Sequence, residues 1–167
     1  LSYSCMPNMK QIISAHNKSK LQHTNNTDPP TNGCNCRNQA LCPLNGNCLV
    51  KSVVYQATVK REDNDKEETY IGLTEGNFKI RYNTHKSSFN NATQRNVTAL
   101  SKYVWSLVDR DIRHSISWKI LARAKSYSRS SKRCNLCLTE KYYIITKPAI
   151  STLNNRNELA SSCRHRK

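Results

Sequence analysis

Two short segments of the chain alternate apolar and polar side chains, which is the pattern of β-strands. The first segment is Ser52–Lys60 and the second is Thr69–Leu73. Between them, residues 61–68 include no apolar side chain, so they are predicted to form the loop of an antiparallel hairpin. Gly72, inside the second segment, indicates a bend or a close approach of another group to the backbone.

Beyond the hairpin, apolar residues recur every three or four positions, which predicts amphipathic helices. One helix is expected to begin near Gly76, and a second begins after Thr98, which is a suitable N-cap. A third is predicted over Asn135–Thr146 and ends before Pro148. Between the second and third helices, Ser115–Leu121 has a strand pattern and would supply a third strand.

These elements predict three parts of the chain. Residues 1–33 are polar and rich in turn-forming residues, so they are expected to be a flexible arm or linker. Residues 34–50 form a cysteine-rich segment. Residues 51–167 are predicted to form a small α/β domain in which helices flank a three-stranded antiparallel sheet. Within that domain, Ala124–Arg133 is rich in serine and basic residues and is expected to be a loop.

Basic residues dominate the composition and predict a polyanionic partner. Lys and Arg number 27 against 11 acidic residues, which gives a formal net charge of +16. Such a surface attracts nucleic acid, although charge alone would also suit a membrane surface or an acidic protein. No segment approaches the ~20 apolar residues of a membrane-spanning helix. No targeting signal is found either, so we expect neither a membrane partner nor secretion.

Four of the eight cysteines lie within one short, turn-rich segment, at Cys34, Cys36, Cys42 and Cys48. Four soft ligands this close in sequence suit a tetrahedral zinc ion, around which a short chain can fold without a core of its own. Disulfides or free thiols are the alternative. Disulfides need an oxidising compartment, and no other feature of the sequence points to one.

A second set combines the C-x-x-C pair Cys134 and Cys137 with Cys163 and His165 near the C-terminus. Three thiolates and one imidazole form a common structural zinc site, which would tie the start of the third helix to the end of the chain. Alternatively, Cys134 and Cys137 are small core residues at a helix N-terminus. Each set supplies four protein ligands and leaves no open position for water, so we expect any zinc here to be structural.

A few side chains outside the cysteine sets could carry hydrolytic chemistry. Arg81 and His85 on the first predicted helix are spaced i, i+4 and share a face, while Tyr55 and Tyr70 lie on the preceding hairpin. Glu140 on the third helix has apolar neighbours one turn away on either side, so it is expected to face the domain. A carboxylate in that position needs a cation partner, which would be Arg81 or a divalent metal.

This group of side chains matches the requirements of phosphodiester hydrolysis, which are an activated water, a cation that stabilises charge on the phosphate, and assistance to the leaving oxygen. Each residue also has a simpler interpretation. The tyrosines could be core aromatics, Arg81 and His85 could form a solvated helix face, and Glu140 could belong to an ordinary ion pair.

The order of these residues resembles the signature of the GIY-YIG endonucleases. Tyr70-Ile71-Gly72 matches the YIG element, and Val53-Val54-Tyr55 would stand for GIY with only its tyrosine retained. Arg81 lies where the family has its helical arginine, and His85 lies where many members have a histidine. Glu140 resembles the metal-binding glutamate of the family's third helix.

Further phrases narrow the resemblance to the endonuclease domain of Penelope-like retroelement proteins. The phrases that resemble these proteins are Ser2–Met9, Cys34–Leu49, Tyr70–Gly76, Cys134–Lys141 and Cys163–Arg166. Leu153-Asn154 resembles the late asparagine of the GIY-YIG endonucleases, which would orient the phosphate or a neighbouring group, and Asn155 is the alternative for this position.

The resemblance implies a DNA endonuclease that nicks its target by phosphodiester hydrolysis to prime reverse transcription of a retroelement. It implies that Glu140 binds one catalytic Mg²⁺ or Mn²⁺ and that Arg81 holds the scissile phosphate. Tyr55 or Tyr70 would position or deprotonate the attacking water together with His85. The cysteine sets would hold structural Zn²⁺.

The implied partners are DNA, an RNA template and an upstream reverse transcriptase region, and the implied location is nuclear. Neither a membrane nor a small-molecule substrate is expected. The alternative from another class is a non-catalytic, zinc-stabilised nucleic-acid-binding module, which needs the charge and the cysteines but not Glu140. A third alternative is a secreted, disulfide-rich protein.

Overall fold

The computed structural model describes residues 33–64, 66–130, 132–154, 163 and 165. Except for Gly33, the predicted arm over residues 1–33 lies outside the described residues, and so does Asn155. All described residues belong to one compact unit, Asn32–Lys167. The cysteine-rich segment 34–50 therefore packs as part of the same body as the sheet.

Three antiparallel strands form the main sheet, as the alternation pattern predicts. They are β1 (Val53–Arg61), β2 (Glu67–Thr74) and β3 (His114–Arg123), and their order in space is β2-β1-β3. The hairpin loop between β1 and β2 is shorter than predicted, because both strands extend into the charged segment.

The central strand β1 is buried on both of its faces. Val53, Val54 and Tyr55 are consecutive in sequence, and all three are fully buried. Successive side chains of a strand point to opposite faces, so both faces of the sheet must be covered. Tyr55 lies directly opposite Gly72 of β2, next to an irregularity in the pairing of β1 with β3.

Three α-helices are present among the described residues: α1 (Phe78–Asn90), α2 (Ala99–Val108) and α3 (Asn135–Thr146). The bounds of α3 agree with the predicted range. The predicted cap of α2 is also confirmed, because the Thr98 hydroxyl accepts a hydrogen bond from the Ser101 backbone N–H at 3.0 Å. None of the described helices has the length and apolar character that crossing a membrane requires.

The helices cover the two faces of the sheet and give a three-layer α/β arrangement. Helices α1 and α2 pack on one face, where the core contains Val53, Tyr55, Ala57, Val59, Tyr70, Phe78, Leu100, Val104 and Leu107. Helix α3 packs on the other face, where the core contains Val54, Ile71, Leu73, Leu136 and Ile144.

The segment Ala124–Arg133, predicted as a loop, contributes to a second, very small sheet. Strands β4 (Tyr127–Ser128) and β5 (Arg133–Cys134) pair antiparallel. Strands of two residues are too short to show an alternation of apolar and polar side chains, and the serine-rich, basic composition favours a loop, so the sequence pattern misses them. The hairpin places Cys134 at the start of α3.

Candidate active site and metal centres

Tyr55 is the centre of a buried hydrogen-bond group that joins β1 to α1. Its side chain is 0% exposed. Its hydroxyl oxygen lies 2.8 Å from His85 Nε2 and accepts a hydrogen bond from Arg81 Nε at 3.0 Å. The predicted i, i+4 pair on α1 therefore does share a face, and both residues contact the same tyrosine.

The guanidinium fixes the direction of one of these hydrogen bonds. A guanidinium can only donate, so the Tyr55 oxygen accepts from Arg81. Burial, followed by the charge of Arg81, lowers the pKa of His85 to about 3, so its imidazole is neutral at neutral pH, and its tautomer decides which partner donates in the hydrogen bond with Tyr55. Burial and the neighbouring Tyr70 raise the pKa of Tyr55, despite the opposing effect of Arg81, so its hydroxyl stays protonated at neutral pH.

Arg81 connects this buried group to the second candidate tyrosine. Its side chain is half-buried and also hydrogen-bonds to the side chain of Tyr70. Tyr70 is 9% exposed, whereas Tyr55 and His85 are 0% and 1% exposed. Arg81 and Tyr70 therefore form the accessible part of the group, and Tyr55 and His85 support them from the interior.

Because Gly72 has no side chain, the rings of Tyr55 and Tyr70 can lie against the β2 backbone at this position. This is the close approach predicted from the place of the glycine in the strand. A Cβ atom at this position would lie 2.5 Å from the Tyr55 hydroxyl oxygen and 3.0 Å from Tyr70 Cε1. Carbon atoms do not approach other heavy atoms this closely without displacing them. The glycine of the YIG-like element is thus required by the packing of both rings.

Glu140 is buried on α3, at 6% exposure, and does not point into bulk water. Its negative charge contributes to raising the pKa of Tyr55, after larger contributions from burial and Tyr70. This carboxylate therefore acts on Tyr55 although its helix is packed mainly in the opposite layer. Tyr55 contacts Arg81 and His85, and Tyr70 contacts the same two residues.

Asn154 binds the backbone of β2 with both ends of its amide. Its Oδ1 accepts from the Ile71 backbone N–H at 2.7 Å, and its Nδ2 donates to the Ile71 carbonyl at 2.8 Å. The preceding Leu153 N–H donates to the Thr69 carbonyl at 2.9 Å. The structure thus places Asn154 beside the strand that carries Tyr70 and gives it a positioning contact within the protein.

The first cysteine set is brought together in space. The Sγ atoms of Cys34, Cys36, Cys42 and Cys48 all lie within 4.8 Å of one another. Cys48 Sγ is 3.4 Å from Cys34 Sγ and 3.6 Å from Cys36 Sγ. Sulfur ligands of a tetrahedral zinc ion lie about 3.8 Å apart when each Zn–S bond is about 2.3 Å. This site could therefore hold one zinc ion.

The thiols of the first cysteine set differ in acidity. Burial would raise the pKa of Cys42, but the backbone N–H groups of Leu44 and Gly46 outweigh it and lower that pKa to about 6. Burial and the neighbouring sulfurs of Cys34 and Cys36 raise the pKa of Cys48 to about 12. A cation is the partner that would let both sulfurs be thiolates at neutral pH.

The second set is also assembled, and it could hold a second zinc ion. The ligand atoms of Cys134, Cys137, Cys163 and His165 lie within 4.8 Å of one another. Nδ1 of His165 is 3.4 Å from Cys134 Sγ and 3.3 Å from Cys137 Sγ, and Cys137 Sγ is 3.7 Å from Cys163 Sγ. No cysteine within the described ranges forms a disulfide.

Glu75 lies beside the second cysteine set, and sequence reasoning missed this position. Its Oε2 lies 3.8 Å from Nε2 of His165, the ring nitrogen that faces away from the sulfurs. Metal-binding histidines commonly direct their second nitrogen to a carboxylate, which fixes the ring and its tautomer. Glu75 follows β2 and lies far from His165 in sequence, so no spacing pattern could have connected the two.

The buried His85 predicts a loss of stability in mild acid. Its pKa is about 3 in the folded protein against an ordinary value of 6.5, so the unfolded chain binds the proton more tightly. The contribution of the neutral His85 to the free energy of unfolding is therefore complete above pH 6.5 and is lost as the pH falls. Between about pH 7.5 and about pH 5.5 the free energy of unfolding should decrease by about 1 kcal/mol from this residue.

Urea unfolding of the zinc-loaded wild type and of the His85→Gln variant, each at the two pH values, measures this decrease in the free energy of unfolding. The wild type should lose about 1 kcal/mol more stability than the variant. An equal loss in both proteins would show that His85 does not titrate in this way.

Comparisons of the chain with protein-family models, with curated proteins and with solved structures give no match.

Proposed function

We propose that this protein is a metal-dependent DNA endonuclease that nicks DNA by hydrolysing a phosphodiester bond. The observation that carries the proposal is the hydrogen-bonded contact of Arg81 with Tyr55 and Tyr70, together with the burial of the Glu140 carboxylate within the same domain. In phosphodiester hydrolysis a fixed cation can stabilise charge on the phosphate, a carboxylate can hold a divalent ion that activates water, and a phenolic hydroxyl can position that water.

The charge of the chain supports DNA as the substrate. A formal net charge of +16 gives strong, salt-sensitive attraction to a phosphate backbone. Arg81 is the basic residue that lies at the candidate site itself. Its planar guanidinium suits two hydrogen bonds to a phosphate, and it would stabilise the charge that develops there during cleavage.

The residues present fit a divalent ion held partly by the protein and partly by DNA. Mg²⁺ is commonly bound through one or two carboxylates together with substrate phosphates and water. Glu140 supplies such a carboxylate. Among the described residues, the only groups of three or more clustered ligands are the two cysteine sets, so phosphate oxygens and water would complete the coordination at Glu140. When bound there, Mg²⁺ or Mn²⁺ would polarise the phosphate and the attacking water.

The other residues would hold the reacting groups in place. Tyr70 is the more accessible tyrosine and would position the water by hydrogen bonding. Tyr55, whose pKa is raised, would remain protonated and orient Arg81, while the neutral His85 would hydrogen-bond to the Tyr55 hydroxyl group. Asn154 would keep the Tyr70 strand in register through its contacts with Ile71.

The biological setting proposed is the mobility of a Penelope-like retroelement, in which a nick primes reverse transcription. Hydrolysis that breaks the P–O3′ bond leaves a 3′-hydroxyl, which is the end that a polymerase extends. The partners would then be target DNA, an RNA template and a reverse transcriptase region, and the location would be nuclear. The motif phrases between Ser2 and Arg166 support this setting by resemblance.

Nicking of supercoiled plasmid in the presence of Mg²⁺ tests the proposed activity. Glu140→Gln keeps the shape of the side chain and removes its charge, so nicking should fall by about 100-fold or more. Glu67→Gln changes an exposed glutamate of β2 and serves as the matched control. A polymerase should extend the nicks made by the wild type. Equal nicking by the Glu140 and Glu67 variants would contradict the assignment.

Structural zinc is the second part of the proposal, and metal analysis tests it. Elemental analysis of the purified protein should give about two zinc ions per chain, one for each four-ligand set. Cys36→Ser should reduce the content to about one ion. A protein that folds with no zinc at all would remove both assignments.

The alternative function is a zinc-stabilised nucleic-acid-binding module without catalysis. The full burial of Tyr55 and His85 favours it, because neither side chain can reach a bound phosphate directly. Tight DNA binding by a protein that gives no nicks with Mg²⁺ or Mn²⁺ would support this alternative.

A further inference from the structure

Helix α1 begins on backbone carbonyls of the cysteine-rich segment 34–50. Its N-cap residue, Asn77, makes no capping hydrogen bond through its side chain. Instead, the backbone N–H groups of Phe78 and Lys79 donate to the carbonyls of Val50 and Cys48, each at 2.8 Å. The first N–H groups of a helix have no partner within the helix, so whatever accepts them fixes where it begins. Here the acceptor at Lys79 belongs to a metal-ligand residue.

A second contact ties the other end of the cysteine segment to the same helical turn. Lys79 Nζ donates to the backbone carbonyl of Asn35 at 3.1 Å and to its Oδ1 at 2.7 Å. Asn35 lies between the ligands Cys34 and Cys36. The first turn of α1 is thus held from both ends of the cysteine segment, and Arg81 lies within the same turn.

Helix α3 begins within the second cysteine set, while the backbone N–H of Leu136 in its first turn donates to the carbonyl of Lys125 at 2.9 Å. Cys134 is its N-cap residue and makes no side-chain capping hydrogen bond, and Cys137 lies in its first turn. Glu140 follows Cys137 by three residues, and both side chains are on the buried face. Cys163 and His165, from the far end of the chain, complete this set.

We infer that the two metal centres act as separate positioning devices, one for each half of the candidate active site. The first centre sets α1 and therefore Arg81, which would hold phosphate. The second sets α3 and therefore Glu140, which would hold the divalent ion. This inference rests on the proposed nuclease function, because it assigns each centre to one step of that reaction.

Separate positioning has a consequence that a purely structural role of the metal centres would not have. Loosening the first centre shifts Arg81 and should raise the KM for DNA on the order of 10-fold, with the Mg²⁺ dependence unchanged. Loosening the second centre shifts Glu140 and should raise the Mg²⁺ concentration needed for half-maximal nicking on the order of 10-fold, with the KM for DNA unchanged. A general loss of folding would move both quantities together.

The experiment uses one partly exposed ligand from each centre in the full chain. Cys36→Ser and Cys163→Ser each remove one ligand, whereas Cys36→His and Cys163→His retain four and should restore the wild-type values. Cys5→Ser changes a cysteine outside both sets and is the control. Each protein is assayed for zinc content, for nicking against DNA and Mg²⁺ concentration, and for hydrogen–deuterium exchange of the backbone amides in α1 and α3.

The two serine variants are expected to differ from each other both in hydrogen–deuterium exchange and in nicking kinetics. Cys36→Ser should lose amide protection at Phe78 and Lys79 and show the higher KM, while α3 stays protected. Cys163→Ser should lose protection in the first turn of α3 and show the Mg²⁺ effect, while α1 stays protected. Equal changes in both helices, or global unfolding of either serine variant while its histidine counterpart stays folded, would overturn the inference.

Failure of the inference can be told apart from failure of the proposed function. If the wild type nicks DNA and the variants show no split, only the positioning inference falls. If no protein nicks DNA but the two serine variants differ in exchange as expected, the nuclease assignment is wrong. The catalytic part of the inference is then overturned as well, and only the local control of the two helices by the metal centres stands.

Discussion

Replacing Arg81 by alanine is expected to lower the rate of plasmid nicking by about 10²–10³-fold, which is the usual effect of removing one donor that stabilises transition-state charge. Arg81 is the cation fixed by the two tyrosines, through Nε to Tyr55 and through a further hydrogen bond to Tyr70. Arg81→Lys should recover little of the loss, because an ammonium cannot reproduce the planar fork of the guanidinium.

The control for this prediction lies on the same helix. Lys86→Ala removes an equal charge from an exposed position of α1, so it measures the general contribution of positive charge to DNA binding. Its nicking rate should stay within a few-fold of wild type at moderate salt. Similar losses in the Arg81 and Lys86 variants would mean that Arg81 contributes only to the overall attraction of DNA.

Replacing Gly72 by alanine is expected to destabilise the protein and to disrupt the site from within. The added Cβ would lie 2.5 Å from the Tyr55 hydroxyl oxygen and 2.7 Å from Tyr55 Cζ. Because this ring is fully buried, it cannot move aside without strain, and overpacking of this kind costs about 1–3 kcal/mol. Displacement of the hydroxyl would also break its hydrogen bonds to Arg81 and His85, so nicking should fall together with stability.

Two further variants isolate the clash at Gly72. Gly76→Ala has no heavy atom within 4 Å of the added carbon and should unfold like the wild type. Combining Gly72→Ala with Tyr55→Phe removes the atom that the new Cβ would approach most closely, so the double variant should lose less stability than the two single changes added together. Strict additivity of the two losses in urea unfolding would argue against contact between the positions.

Sequence periodicity was sufficient to predict the elements that are long and locally determined. The bounds of α3 follow from its apolar spacing and from Pro148, and Thr98 identifies the start of α2 because its capping role depends only on neighbouring residues. The Arg81 and His85 pair could be predicted for the same reason, since residues four apart on a helix share a face. Short strands such as β4 carry too few residues to show a period.

Contacts between distant parts of the chain could not be predicted from periodicity. The capping of α1 by the carbonyls of Cys48 and Val50, and the approach of Glu75 to His165, depend on how the layers pack. The contact of Asn154 with Ile71 was similarly hidden, although the resemblance singled out the residue. The cysteine sets are the exception, because ligand type and spacing indicate a shared centre even across a long separation.

Residues 153 and 154, which lie beside β2, affect how these highly charged molecules behave at high concentration. A strand at the margin of a sheet normally exposes unpaired amide and carbonyl groups, which invite a strand from another molecule to add on. Leu153 and the Asn154 amide already engage the groups of Thr69 and Ile71 on this margin. Along that stretch a second molecule finds no template for intermolecular β-pairing, so crowded copies would not join through this strand.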